Sequence, residues 1–181
     1  MNPQETRSHK EIDEDFVVIP YDIAWPALYE RESEALRSIP DISGIEHFGS
    51  TAVPGLSAKP IVDILVGISE FNLSKNQQRC LVAMNYEGFG EQGVPGRFHF
   101  RKRGSAAFNL AVTLLHGPLW NDNILLRDYL RSHPQVAREY GEQKRHAIAS
   151  GANRLLSYSE SKAAFVAALM AKARNWRCEH A

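Results

Sequence analysis

Apolar positions recur at helical spacing near the start and over the last third of the chain. Between them they gather into short runs rich in β-branched residues. Trp25, Leu28, Tyr29, Glu32, Leu36 and Ile39 fall on one helical face. Pro26 suits the first turn of that helix, Asp22 stands where a cap belongs, and Pro40 closes it. Residues 1–15 are polar, alternate in charge and have no period, so they are expected to form a flexible tail. Val17 to Tyr21 is a short apolar run with the character of an edge segment.

Ile42 to Phe48 reads as a strand, broken at Gly49-Ser50. A loop of small residues follows, and Ile61 to Val66, bounded by Pro60 and Gly67, reads as a buried strand with Asp63 as its one charged member. Leu73 to Met84 is predicted helical, with Asn72 in the capping position. Residues 86–96 carry four glycines and read as loop or weak strand. Arg97 to Arg103 alternates, Gly104-Ser105 turns, and Ala107 to Leu115 returns, which is a hairpin pattern. Alternation puts Arg97, His99, Arg101 and Arg103 on one face and Phe98, Phe100 and Lys102 on the other.

Three helices are predicted after the hairpin: Leu119 to Ser132, Pro134 to Ala149 and Ser159 to Asn175. The last is expected to be capped by Ser157 or Ser159 and to turn Ala163, Phe165, Val166, Leu169 and Met170 inward. The order of elements predicts an α/β (α+β) fold: a mixed β-sheet with flanking helices and a helical C-terminal third, forming one domain over residues 16–176.

Composition narrows the partners. The 181 residues hold 21 Lys+Arg and 21 Asp+Glu, so the formal net charge is zero. That balance argues against nucleic acid, whose binders are usually basic, and offers nothing to an anionic membrane. The sequence holds no apolar run of transmembrane length, and its polar start lacks the apolar core of a signal peptide. Cys80 and Cys178 fit neither a zinc nor a CxxC spacing, so a cytoplasmic protein with reduced thiols is expected. Nothing in the composition sets an oligomeric state.

The stretch with chemical content runs from His47 to Asp63. Gly49 lets the chain turn sharply and approach a ligand closely. Ser50 and Thr51 offer hydroxyls and backbone N–H groups suited to phosphate oxygens. Lys59 adds a cation nearby, and a carboxylate at Asp63 needs a metal or a partner where it is buried. The P-loop pattern fails, because Pro54 takes the second glycine position and Leu56 follows Gly55. The dinucleotide fingerprint also fails. His47 is a core histidine or a ligand. Arg97 and Arg101 are phosphate-binding candidates or the wet face of a hairpin. Arg127 and Arg131 share a helical face, as do Tyr140 and Lys144, with surface pairing and packing as the plainer roles.

A Gly-Ser turn at a strand end, followed about a dozen residues later by a strand carboxylate, resembles the nucleotidyltransferase superfamily. The run His47-Phe-Gly-Ser-Thr-Ala-Val-Pro-Gly-Leu56, continued by Ala58-Lys-Pro-Ile-Val-Asp-Ile64, more closely resembles the GrpB family. Tyr21, Trp25, Arg97-Phe-His-Phe100, Lys102, Leu126 to Arg131, His133-Pro134, Tyr140 with Lys144, and Tyr158 with Lys162 extend the likeness over residues 16–170. The resemblance implies a minimal nucleotidyltransferase-like core with added C-terminal helices. It further implies a turn at Gly49, Ser50 and Thr51 that holds nucleotide phosphates, and magnesium held by Asp63 as the catalytic carboxylate. His99 and Asn109 join His47, Arg127, Tyr140 and Lys144 as further pocket candidates.

The chain departs from those patterns at two places. Leu65 stands where a nucleotidyltransferase carries its second acid, and Asn109-Leu-Ala-Val112 stands where many GrpB-like chains have H-L-H-V. Two readings follow. One is a protein that binds a nucleotide or other phosphate-bearing small molecule with Mg2+ and transfers a nucleotidyl group. The other is a noncatalytic ligand-binding or interaction module that keeps the fold without the full carboxylate set.

Overall fold

A computed structural model describes residue 14 and residues 17–91, 94–149 and 155–180; the side chains of residues 147 and 155–162 are outside that description. Apart from Glu14, the expected N-terminal tail lies outside the described residues. The elements in chain order are α1 (Trp25–Leu36), β1 (Gly44–Phe48), a 3-10 turn (Ser50–Ala52), β2 (Val62–Ile68), α2 (Lys75–Ala83), β3 (Glu87–Gly88), β4 (Arg97–Lys102), β5 (Phe108–Leu114), α3 (Pro118–Ser132), α4 (Pro134–Ala149) and α5 (Leu155–Glu179).

The strands form one mixed sheet in the order β1-β2-β5-β4-β3. The pair β2–β5 is parallel, and β1–β2, β4–β5 and β3–β4 are antiparallel, so the hairpin of β4 and β5 forms as its sequence predicts. A parallel pair needs a crossover, supplied by the segment carrying α2, β3 and β4. The Val17–Tyr21 segment contributes a single bridge, Ile19 with Ala58.

One sheet face is apolar. Val62, Ile64, Val66 and Ile68 of β2, with Phe108, Leu110 and Val112 of β5 and Phe100 of β4, pack there with Trp25 and Leu36 of α1 and Leu81 of α2. Lys102 also points to this side, where its ammonium donates to Glu32 of α1 at 2.8 and 3.0 Å. Tyr86 donates to the same carboxylate at 3.0 Å. Burial, then the Glu32 charge, pushes the Tyr86 phenol far above its ordinary value.

The other face is only partly covered. Trp120 and Ile124 of α3 pack with Leu65, Ala111, Phe48 and Leu115. Gly44 and Gly67 make room, since a Cβ at either would meet Trp120 and Leu115 ring or methyl atoms at 2.6–2.9 Å. A second apolar cluster joins α3, α4 and α5 to the loop after β1 through Val53 and Leu56. The helical C-terminal region is thereby anchored on the Gly49–Leu56 segment rather than on the sheet alone.

Several boundaries differ from expectation. The cap of α2 is Ser74, not Asn72: Gln77 N–H donates to the Ser74 hydroxyl at 3.2 Å and Ser74 N–H to the Gln77 side chain at 2.8 Å. This reciprocal box satisfies two of the orphan donors of the first turn. Asp22 accepts from Ala24 N–H at 2.8 Å, one turn ahead of α1 rather than at its cap. Because α5 is helical from Leu155, Ser157 and Ser159 lie inside it, and Ala163 is exposed, whereas Leu169 is buried. Cys80 and Cys178 are unpaired. Among the described residues no helix is long and apolar enough to cross a membrane.

Candidate functional site

Strand register decides which predicted residues meet. One row across the sheet holds Phe48, Asp63, Asn109, Arg101 and Glu87; the next holds Glu46, Leu65, Ala111 and His99; a third holds Gly44, Gly67, Thr113 and Arg97. All belong to the face that α3 partly covers. Trp120 seals its centre, leaving a polar half with Asp63, Asn109, Arg97, His99 and Arg101. The alternation expected for β4 therefore holds.

His47 falls outside this group. It pairs with Ile64, whose side chain belongs to the apolar face. Its ring stacks on Tyr29 with centroids 4.8 Å apart, and its Nε2 lies 3.0 Å from the Thr51 hydroxyl. Burial, partly offset by Asp63 and reinforced by Arg131 and Arg127, depresses its pKa to about 4. His47 is thus a neutral core ring that steadies the 3-10 turn through Thr51, and it is not a pocket residue. Thr51 is itself buried, with its hydroxyl engaged in that contact.

Gly49 sits at φ +69°, ψ −165°, a region open essentially to glycine. A Cβ there would stand 2.6 Å from Asp63 Oδ2, so the turn runs directly over the carboxylate. Asp63 Oδ1 accepts from Asn109 Nδ2 at 2.8 Å, while Asn109 Oδ1 accepts from Arg103 at 3.0 Å. A cation on one side and an anion on the other leave the amide one sensible orientation. Asn109 therefore lies beside Asp63 as its strand position implies, but it presents a donor to that carboxylate and not a neutral oxygen to a metal. Arg103, absent from the predicted site, completes the relay and also pairs with Glu14.

Ser50 is held from below by α4. Lys144, only 2% exposed, donates to Ser50 Oγ at 2.6 Å and to the Ser57 carbonyl at 3.0 Å, and it lies 4.3 Å from the centroid of the Tyr140 ring. Burial and the Asp63 charge push the Tyr140 phenol up to about 12, against a lowering hydrogen bond with Ser50. Tyr140 and Lys144 thus do belong with the turn. Lys144→Met removes the bonds to Ser50 and Ser57 but also the desolvation of a buried ammonium, so the net loss is expected to be about 1–2 kcal/mol. Urea denaturation measures it, and unchanged stability would mean that the two bonds contribute nothing net.

The cations divide into spent and unspent. Arg101 donates to Glu87 at 2.9 Å and lies over Phe89. Arg127 donates to Glu46 at 2.6 Å, to the His47 carbonyl at 3.0 Å and to Asp128 at 2.8 Å, and Arg131 donates to the Ala52 carbonyl at 2.8 Å. Together with Tyr29, which donates to the Ile45 carbonyl at 3.1 Å, Arg127 blunts the open edge of β1. Arg127 is accordingly held as a clamp between α3 and β1. Arg97 is different: its Nε is buried without a hydrogen-bond partner, and no ion pair forms to it among the described residues. Burial lowers its pKa, with Asp63 acting against that. His99 is held at about 4 by burial first, then by Arg97 and Lys59, with Asp63 opposing and Arg103 adding, so these groups converge around its ring.

Magnesium is the ion that the nucleotidyltransferase likeness implies. Holding two such ions needs several oxygen ligands close together. Among the described residues no group of three or more His, Cys, Asp or Glu side chains is placed to hold a metal. One Asp63 oxygen is taken by Asn109 and the amide oxygen beside it by Arg103. A magnesium placed beside Asp63 would find one oxygen of that carboxylate already bonded to Asn109.

Sheet order, register and helical C-terminal region define an α+β protein built on a five-stranded mixed sheet. Residues 15–172 match the family described as GrpB protein, and the chain belongs to the GrpB family. It is 30% identical over 158 residues to Glutamate-rich protein GrpB of Alkalihalophilus pseudofirmus, covering 83% of this chain and 91% of that one. It is 30% identical over 163 residues to UPF0157 protein YqkA of Bacillus subtilis, covering 88% of this chain but only 48% of the relative, so the chain spans about half of that protein's length. The crystal structure of conserved protein GrpB from Enterococcus faecalis superposes with a TM-score of 0.77 at 29% identity, over 88% of this chain and 99% of the other. A nucleotidyltransferase-like sheet is consistent with that membership.

Proposed function

We propose that this protein binds a phosphate-bearing small molecule, nucleotides included, on the polar half of the sheet face between the Gly49-Ser50 turn and β4. The observation that carries this reading is the buried, unpartnered Nε of Arg97. A guanidinium nitrogen desolvated without a bond is costly, and an anion recovers that cost. Lys59 lies close enough to act on His99. The phosphate therefore meets Arg97, Lys59 and the turn.

Binding is favoured over nucleotidyl transfer by the carboxylates. Leu65, in the position of a second acid, is buried under Trp120, and Asp63 is already bonded to Asn109. The test is thermal denaturation of the whole chain with inorganic phosphate, pyrophosphate, nucleoside triphosphates and coenzyme A precursors, each with magnesium and with EDTA. Stabilisation is expected to rise with concentration, to about 2.7 kcal/mol at a hundredfold excess over Kd. If none of these compounds raises the melting temperature in either buffer, the reading is wrong.

A further inference from the structure

We infer that phosphate binding on this face needs no divalent metal: Arg97 takes the phosphate directly, and Asp63 is a fixed hydrogen-bond acceptor rather than a metal ligand. The inference rests on the reading above that a phosphate-bearing ligand occupies this face. It follows from where each donor already points.

A magnesium ion bound through one protein carboxylate relies on that carboxylate being open and on phosphate oxygens turned toward it. Asp63 meets the first condition poorly. Its Oδ1 is bonded to an amide nitrogen, and its Oδ2 lies under the Gly49 backbone. The groups around it are mostly cationic: Arg97, Lys59 and Arg103 all act on the His99 ring, against Asp63 alone. A divalent cation entering here would face these side-chain cations, of which Arg103 is already paired with Glu14, whereas a phosphate would be drawn to Arg97 and Lys59. Among the described residues Arg103 is held by Glu14, Asn109 and two carbonyls, and Arg101 by Glu87. Arg97 alone among the three face arginines has its Nε buried and unbonded. Its planar fork matches two phosphate oxygens, which an ammonium cannot do.

Magnesium then has a predictable sign. By complexing a polyphosphate it removes charge that Arg97 would read, so it should weaken binding or leave it unchanged. Replacing Asp63 has an equally clear sign, because losing its charge removes repulsion from the phosphate. Asp63→Asn keeps an acceptor oxygen for Asn109, so the relay survives.

Isothermal titration with inorganic pyrophosphate tests this, in EDTA and in excess magnesium, on the full chain and on Asp63→Asn and Arg97→Lys. The expected Kd in EDTA is equal to or tighter than that in magnesium. Asp63→Asn is expected to bind as well as or better than wild type, and Arg97→Lys to bind at least tenfold more weakly. Heat in magnesium but none in EDTA overturns the inference and leaves the proposed binding function standing. Loss of binding in folded Asp63→Asn does the same. Absence of heat in both buffers sinks both ideas. The comparison of buffers uses wild type, so it decides the matter even where a variant does not fold.

Discussion

Gly49→Ala lowers the melting temperature by about 6–12 °C, the larger of two glycine effects expected in the turn region. At φ +69° and ψ −165° a side chain of any size is strained, by about 1–3 kcal/mol. The new Cβ also stands 2.6 Å from Asp63 Oδ2, so either the turn lifts or the carboxylate leaves Asn109. Overpacking of this kind adds about 1–3 kcal/mol. A total near 3 kcal/mol corresponds to that shift at about 2–4 °C per kcal/mol for a chain of this length. Gly55→Ala is the control: its φ of +79° is also left-handed, but nothing lies within 4 Å of its Cβ position. It should show backbone strain alone, at about 1 kcal/mol. Equal losses in the two variants, measured by calorimetry, would show that the contact with Asp63 contributes nothing. The glycine is thus required by what lies beneath the turn as much as by the turn itself.

The part of the site that local pattern governs was legible in the sequence. Alternation along Arg97 to Lys102 assigns the right face to each residue, and the strand runs place Asn109 beside Asp63 once β2 and β5 are neighbours. Parity also marks His47. It shares a face with Ile45, and both belong to the apolar side.

Long-range partners leave no such trace. Lys144 meets Ser50 across 94 positions and Arg127 meets Glu46 across 81. Neither spacing has a local signature, because it is set by how α3 and α4 dock on the loop through Val53 and Leu56. Arg101 lies on the face its alternation assigns, but its pairing with Glu87 leaves no local trace. Glu87 sits on a strand of two residues, too short to show a period. The amide orientation of Asn109 depends on Arg103 and Asp63 together, so the residue type alone leaves open whether it turns a donor or an acceptor to Asp63.

Acid is expected to weaken the fold well above the range where carboxylates titrate. His47 and His99 are each held at about 4, against an ordinary value of 6.5. Between those values an unfolded chain binds a proton on each ring and the folded chain does not. Stability is therefore full above about pH 6.5 and falls as the pH drops toward 4. From pH 7 to pH 5 each ring accounts for about 2 kcal/mol, so the pair predicts a loss of about 3–4 kcal/mol. Urea denaturation at pH 7, 6 and 5 reads it directly, and the double variant His47→Gln, His99→Gln should flatten the profile in this window. A wild-type profile that is already flat would mean that the rings are solvated enough to protonate in place. The two rings differ in consequence. A proton on His47 puts a charge on the apolar face against Tyr29, next to a Thr51 contact that fixes the 3-10 turn. A proton on His99 adds a cation beside Arg97 and Lys59, where a bound phosphate would offset it. Saturating pyrophosphate should therefore restore the His99 share of the acid loss and leave the His47 share untouched.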